Sequence, residues 1–297
     1  MMKKTIFTGS GVALVTPMNK EGSIDYDVLK ELIEFHVSNG TDAIVACGTT
    51  GESPVISDNE HRELIQFIVK QVNKRIPVVA GAGSNNTHHA AELACSAQEM
   101  GADALLVVTP YYNKTSQKGL IQHYTYIADR VDLPIIAYNV PSRTSCNIAP
   151  ATYLELSKHP NIVAAKEANG DISTLAKTIS LCGNNLDIYS GNDNQTVPIL
   201  ALGGKGVISV LANIVPGVMH KICKNYFEGN YQSSLDAFLK YIELMDALFM
   251  DVNPIPVKAA MEMLDFNSGE CRLPLTSMNA SDTAKLSAVL KKYQLVE

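Results

Sequence analysis

Eight short runs rich in Val, Ile, Leu and Ala, set roughly 20–35 residues apart, constrain this chain more than any other feature. They are Gly11–Pro17, Asp42–Cys47, Ile76–Ala80, Ala102–Thr109, Leu133–Tyr138, Asn161–Lys166, Leu186–Ser190 and Lys205–Val210. Runs of this length with helical segments between them carry the rhythm of βα units in a parallel sheet. The intervening segments show helix signals. Ser57 and Glu60 have capping-box spacing ahead of the stripe Leu64, Ile65, Ile68 and Val72, and Asp171 is placed to cap a helix carrying Leu175 and Ile179. Eight units within about 225 residues predict an α/β fold, a (β/α)8 TIM barrel. A doubly wound sheet is the runner-up, but the first run ends in Thr16-Pro17 and not in a glycine fingerprint. From about Pro216 the apolar period is helical, with Leu235, Phe238, Leu239, Ile242, Met245 and Phe249 forming one stripe. The expected division is a barrel catalytic domain over 1–224 and a C-terminal helical region over 225–297, packed on the barrel or on a neighbouring subunit.

At 297 residues, with 46% hydrophobic and 18% charged residues, the chain has enough apolar material for a large core. Its net charge of −6 and the absence of any basic run longer than two residues argue against nucleic acid as a partner. The six cysteines contain no C-x-x-C, and His220, three before Cys223, has no companion pair, so no metal site is expected. Free thiols suit a reducing cytosol. Lys3-Lys4 and the residues after them faintly resemble a signal peptide, but Thr8 to Gly11 interrupt the apolar stretch. No run reaches membrane-spanning length, and a cytoplasmic protein is expected.

Barrel enzymes place their chemistry at the C-terminal ends of the strands. Strand six ends in Lys166-Glu167, so a lysine stem leaves an apolar run at the mouth. Such a lysine either snorkels to water or is kept neutral as a nucleophile. Gly48-Thr49-Thr50-Gly51 is an ordinary turn or a cradle for a carboxylate. Tyr138 is a core aromatic or a proton shuttle, and Arg143 a surface charge or a carboxylate fork. No histidine set or carboxylate pair accompanies them. Amine, phenol, hydroxyl and guanidinium together suit Schiff-base chemistry on a carbonyl acid. A barrel that binds a ligand without chemistry would leave Lys166, Tyr138 and Thr49 at strand ends by coincidence.

Gly48-Thr-Thr-Gly-Glu52, Ala102 through Tyr112, Tyr138-Asn-Val-Pro-Ser-Arg-Thr144, Lys166-Glu167 and Asn253-Pro-Ile-Pro-Val-Lys258 together resemble the dihydrodipicolinate synthase family, end to end and in order. The wider family includes N-acetylneuraminate lyase and sugar-acid aldolases; Ser142-Arg143-Thr144 favours the synthase branch. The resemblance implies condensation of pyruvate with aspartate 4-semialdehyde on the route to diaminopimelate and lysine, without metal or cofactor. It implies that Lys166 forms the Schiff base, and that Tyr138 shuttles protons through Thr49 to Tyr112. Thr49 and Thr50 would hold the pyruvate carboxylate, Arg143 the semialdehyde's carboxylate, and Gly191 and Ile208 would offer backbone carbonyls. Tyr112 would reach a partner's active site, making a dimer the least catalytic unit and a homotetramer the usual assembly. The positions matching the family's lysine effector site are Ser53, Pro54, Asp58, His61, Asn85, His89 and Tyr111. His89 stands where lysine-sensitive members carry a glutamate, and Asp58 where a histidine is common. Weak or absent inhibition by lysine is therefore expected.

Overall fold

The computed structural model describes residues 3–297. Eight parallel strands close into one barrel in chain order. They are β1 (Gly9–Ala13), β2 (Ala43–Ala46), β3 (Val78–Gly81), β4 (Ala104–Val108), β5 (Ile135–Asn139), β6 (Ile162–Glu167), β7 (Asp187–Ser190) and β8 (Gly206–Ser209). Helices follow the strands and cover the outside, so the strands are buried on both faces and read as unbroken apolar runs. The expected helix signals form: Ser57 and Glu60 close a capping box, and the Asp171 side chain accepts from Thr174 N–H.

The first strand begins earlier than its apolar run, at Gly9 and not at Gly11. Gly9 pairs with Gly206, where an added Cβ would lie 1.8 Å from the Gly9 carbonyl oxygen. The barrel closes there by backbone contact that only glycine permits, so the glycines that looked like a break are part of the strand.

Side chains alternate between two cores. In β5, Ile135 and Ala137 face the helices, while Ile136 and Tyr138 face the barrel interior. β6 breaks this alternation. Ile135 pairs with Ile162 and Ile136 with Ala164, so Val163 is an extra residue in the ladder. Val163 and Ala164 both face the interior, Ala165 faces the helices, and the phase of the strand is reversed beyond that point.

The helix Pro216–Phe227 packs on β1, and the expected division after 224 would cut through it. Beyond it lie helices Tyr231–Ala247, Ile255–Met263 and Ala280–Lys292. The stripe expected on the first of these is split. Phe238 and Met245 are buried, but Leu235, Leu239 and the following Phe249 are exposed. No helix among the described residues is long and apolar enough to cross a membrane.

Candidate functional site

The reversed phase of β6 aims Lys166 into the barrel. Alternation counted from the outward Ile162 would have placed it among the helices. Lys166 is 6% exposed, so its stem does not carry the amine out to bulk water. Across the ladder it is in register with Tyr138, and its Nζ lies 4.3 Å from the centroid of that ring. Tyr138 is itself buried and packs in the barrel interior with Ile208. Gly191 N–H donates to the Glu167 carbonyl at 2.6 Å, which places Gly191 where β6 and β7 end.

Asp193 lies just beyond β7. Its Oδ2 accepts from Val210 N–H at 3.0 Å and Leu211 N–H at 2.9 Å, while Oδ1 is buried without a partner. Burial pushes its carboxyl up, and hydrogen bonds together with the charge of Lys166 pull the other way.

The loop after β2 presents the threonines. Gly51 and Ser53 N–H donate to Gly48 O and Glu52 N–H donates to Thr49 O, so the turn is closed by groups other than the Thr49 and Thr50 amides. Its last residue, Glu52, sits in the left-handed region at φ 59, a conformation that costs a non-glycine residue of order 1 kcal/mol or more. Glu52 is held there by a buried ion pair with Lys258 at 2.9 Å and by Arg272 N–H at 2.8 Å.

Arg143 stands in the helical turn Pro141–Thr144 after β5. Its Nη2 donates to the Asn253 carbonyl at 3.2 Å, and Asn253 Nδ2 donates to Thr50 Oγ1 at 3.0 Å. One residue of the C-terminal region therefore touches both a threonine of the cradle and the guanidinium. Asn253 and Lys258 were visible in the sequence only inside a motif to which no role was attached.

A cavity of about 330 Å³ is lined by Thr49, Val140, Arg143 and Thr144. Ser53, Pro54, Asp58, His61, His89 and Tyr111, six of the seven candidate effector positions, line the same cavity. Asn85 lies apart, lining a neighbouring hollow and accepting from Asn113 Nδ2. His89 Nε2 lies 3.0 Å from Asp58 Oδ1. His61 is fixed by its Nε2 on the Gly81 carbonyl at 2.7 Å, and burial holds its imidazole below the usual value. Tyr112 meets none of these groups: it is 92% exposed at φ 65, so a relay from Tyr138 through Thr49 to Tyr112 is not closed within one chain.

A protein-family model described as the dihydrodipicolinate synthetase family matches residues 6–293. A 4-hydroxy-tetrahydrodipicolinate synthase from Thermoanaerobacter sp. (strain X514) is 54% identical over 98% of this chain and 98% of its own. The crystal structure of dihydrodipicolinate synthase from Aquifex aeolicus superposes with a TM-score of 0.95 at 46% identity, covering 97% of this chain and 99% of that one. The chloride-inhibited dihydrodipicolinate synthase from Acinetobacter baumannii, solved in complex with pyruvate, has a TM-score of 0.96 at 42% identity, covering 98% and 100%.

Proposed function

The chain belongs to the dihydrodipicolinate synthetase family, and on that premise we propose that it joins pyruvate to L-aspartate 4-semialdehyde through a Schiff base on Lys166. It is a lyase of diaminopimelate and lysine biosynthesis. The observation that carries the Schiff-base reading is the placement of Lys166. Its amine is withdrawn from water at the end of β6, against the Tyr138 ring, at the end of the barrel where Arg143 lines a cavity. The pyruvate bound in the Acinetobacter baumannii relative supports the first substrate.

In this reading Lys166 Nζ adds to C2 of pyruvate and water leaves, giving an imine. Loss of a methyl proton makes C3 nucleophilic, and C3 attacks the aldehyde carbon of the second substrate. That substrate's own amino group then adds to C2, closes the ring and expels Lys166, releasing 4-hydroxy-tetrahydrodipicolinate. Tyr138 carries protons between these steps. Thr49 and Thr50 hold the pyruvate carboxylate, while Gly191 and Ile208 offer backbone carbonyls to donors in the site. Arg143 binds the semialdehyde's carboxylate as a charge-assisted fork. The route uses no cofactor.

Tyr112, held outward at φ 65, completes the proton path of a neighbouring copy. A dimer is then the least active unit and a homotetramer the assembly, working in the cytoplasm. Comparing turnover of pyruvate plus aspartate semialdehyde with release of pyruvate from N-acetylneuraminate tests the reading. Fast turnover of the first pair alone supports it, and preference for the sugar acid would move the enzyme to the related branch.

Two expectations follow from the site's walls. Arg143→Ala lowers kcat/KM for the semialdehyde by about 10- to 100-fold, the weight of a hydrogen bond to a charged group. Pyruvate adduct formation persists; loss of the adduct too would give Arg143 a second role. Lysine at millimolar concentration leaves the rate nearly unchanged. The Asp58 carboxylate is engaged by His89, and no glutamate replaces it as a partner for an ammonium group. Strong inhibition in a lysine titration would contradict this.

A further inference from the structure

We infer that Glu167 is a positioning residue for the second substrate: acting through Asn139, it holds the loop that carries Arg143. This rests on the role proposed for Arg143 above. Glu167 follows Lys166 on β6 and so faces the opposite way, into the layer between strands and helices. There its Oε1 accepts from the Tyr153 hydroxyl of helix Pro150–Leu156 and from Asn139 Nδ2 at 3.0 Å. The same Asn139 amide turns to the loop. Its Nδ2 also donates to Asn147 Oδ1 at 2.7 Å, and its Oδ1 accepts from Ile148 N–H at 3.2 Å. The segment that leaves β5 with Arg143 therefore returns to the barrel through a side chain whose amide plane Glu167 sets.

Lys166 does not depend on this cluster to the same degree. It is laddered on both sides, in register with Tyr138 and Tyr189. The loop has no ladder. Its other anchors include Thr144 Oγ1, which accepts from Thr109 Oγ1 at 3.0 Å, the Asn147 carbonyl and Ala149 N–H, both on the Gln117 side-chain amide, and Arg143 itself, which donates to the Asn253 carbonyl at 3.2 Å. None of these orients Asn139. Loosening Glu167 should therefore disturb binding of the semialdehyde and spare the reaction of pyruvate with Lys166.

An ionised carboxylate only accepts, which matches the two donors aimed at it. Burial pushes the Glu167 carboxyl up to about 7, against the bonds from Tyr153 and Asn139 that pull it down. The groups facing it or lying nearby are Tyr153, Tyr124 on helix Gln117–Ala128, Cys146 in the loop and Cys182 on helix Ile172–Cys182. Burial raises all four away from neutrality, and Lys166 lies on the other face of the strand. Above about 7 the clamp is ionised and closed. Below that value the carboxyl is neutral, its bonds from Tyr153 and Asn139 lose their charge assistance, and the loop is held less firmly.

The test is steady-state kinetics of the full-length enzyme with Glu167→Gln, Asn139→Ser and the double variant, beside borohydride trapping of pyruvate. The expected result is a rise of about tenfold in KM for the semialdehyde, the weight of one charge-assisted hydrogen bond, with KM for pyruvate and the trapped adduct unchanged. The double variant should be no worse than either single one, because the two act in series. The wild-type KM for semialdehyde should rise as pH falls through about 7, and E167Q should flatten that dependence. Equal damage to both substrates, no damage, or additive losses in the double variant each overturn the inference. If E167Q fails to fold, Tyr153→Phe and Asn139→Ser carry the same comparison. A wild type that does not turn over the semialdehyde removes the Arg143 reading and this inference together. A competent wild type with an unaltered E167Q removes the inference alone.

Discussion

Lys166→Ala is expected to reduce turnover by at least about 10³-fold, because the covalent route is lost and no other group can replace it. Lys258 is spent in its ion pair with Glu52, and Arg143 has no basic nitrogen free to attack a carbonyl. The loss should fall on kcat, since the groups proposed to hold the carboxylates remain in place. Lys166→Arg keeps a cation at the position and should be equally inactive, which separates nucleophile from charge. Neither variant should unfold the protein, because the ladders from Tyr138 and Tyr189 hold β6 by its backbone. Rate assays with a thermal melt on the same samples check this. A folded Lys166→Ala enzyme with ordinary turnover would return the residue to a packing role.

Lys258→Met is expected to be the most damaging substitution for stability. The ammonium makes three hydrogen bonds, to Glu52 Oε1 at 2.9 Å, Thr16 O at 3.1 Å and Glu270 O at 2.9 Å. Both charged side chains are almost wholly buried, at 2% and 0% exposure. Removing one member strands a carboxylate in a dry interior, which costs about 3–5 kcal/mol. For a chain of this size that corresponds to a fall in Tm on the order of 10 °C. The double variant Glu52→Gln/Lys258→Met should recover a large part of the loss, because no unpaired charge remains. If single and double variants melt together, the ion pair is not what holds the C-terminal region to the barrel. The pair also fixes Glu52 in its left-handed turn beside Thr49 and Thr50, so a weaker hold on pyruvate should accompany the loss.

The barrel was legible because its strands are buried on both faces and stand out as apolar runs between capped helices. Ser57 with Glu60, and Asp171, mark two of those helices by local chemistry alone. The first strand starts at Gly9 and not at the expected Gly11, because glycine reads as a turn unless its partner strand is known. The direction of Lys166 was not legible either. It depends on the extra residue at Val163, and in an unbroken apolar run no polar alternation reveals which face each residue takes.

The candidate site was legible one strand end at a time, since each strand carries its own residue to the same rim. What the sequence hides is how those residues are braced. Asn253 meets Thr50 across 203 residues of chain and Arg143 across 110, and Lys258 meets Glu52 across 206. Glu167 stands beside Lys166 at a strand end in the sequence, and only the fold shows it turned away from the barrel interior and onto Asn139 and Tyr153. The apolar stripe from Leu235 to Phe249 is split for a related reason. A single-chain periodicity cannot separate the side that meets the barrel from the side left exposed.

The most direct measurement is borohydride reduction of the enzyme in the presence of pyruvate, followed by peptide mapping. The account predicts one pyruvate-derived adduct, on Lys166, abolished in Lys166→Arg and retained in Arg143→Ala. No adduct, or an adduct on another lysine, would contradict the Schiff-base assignment on which the proposed chemistry depends.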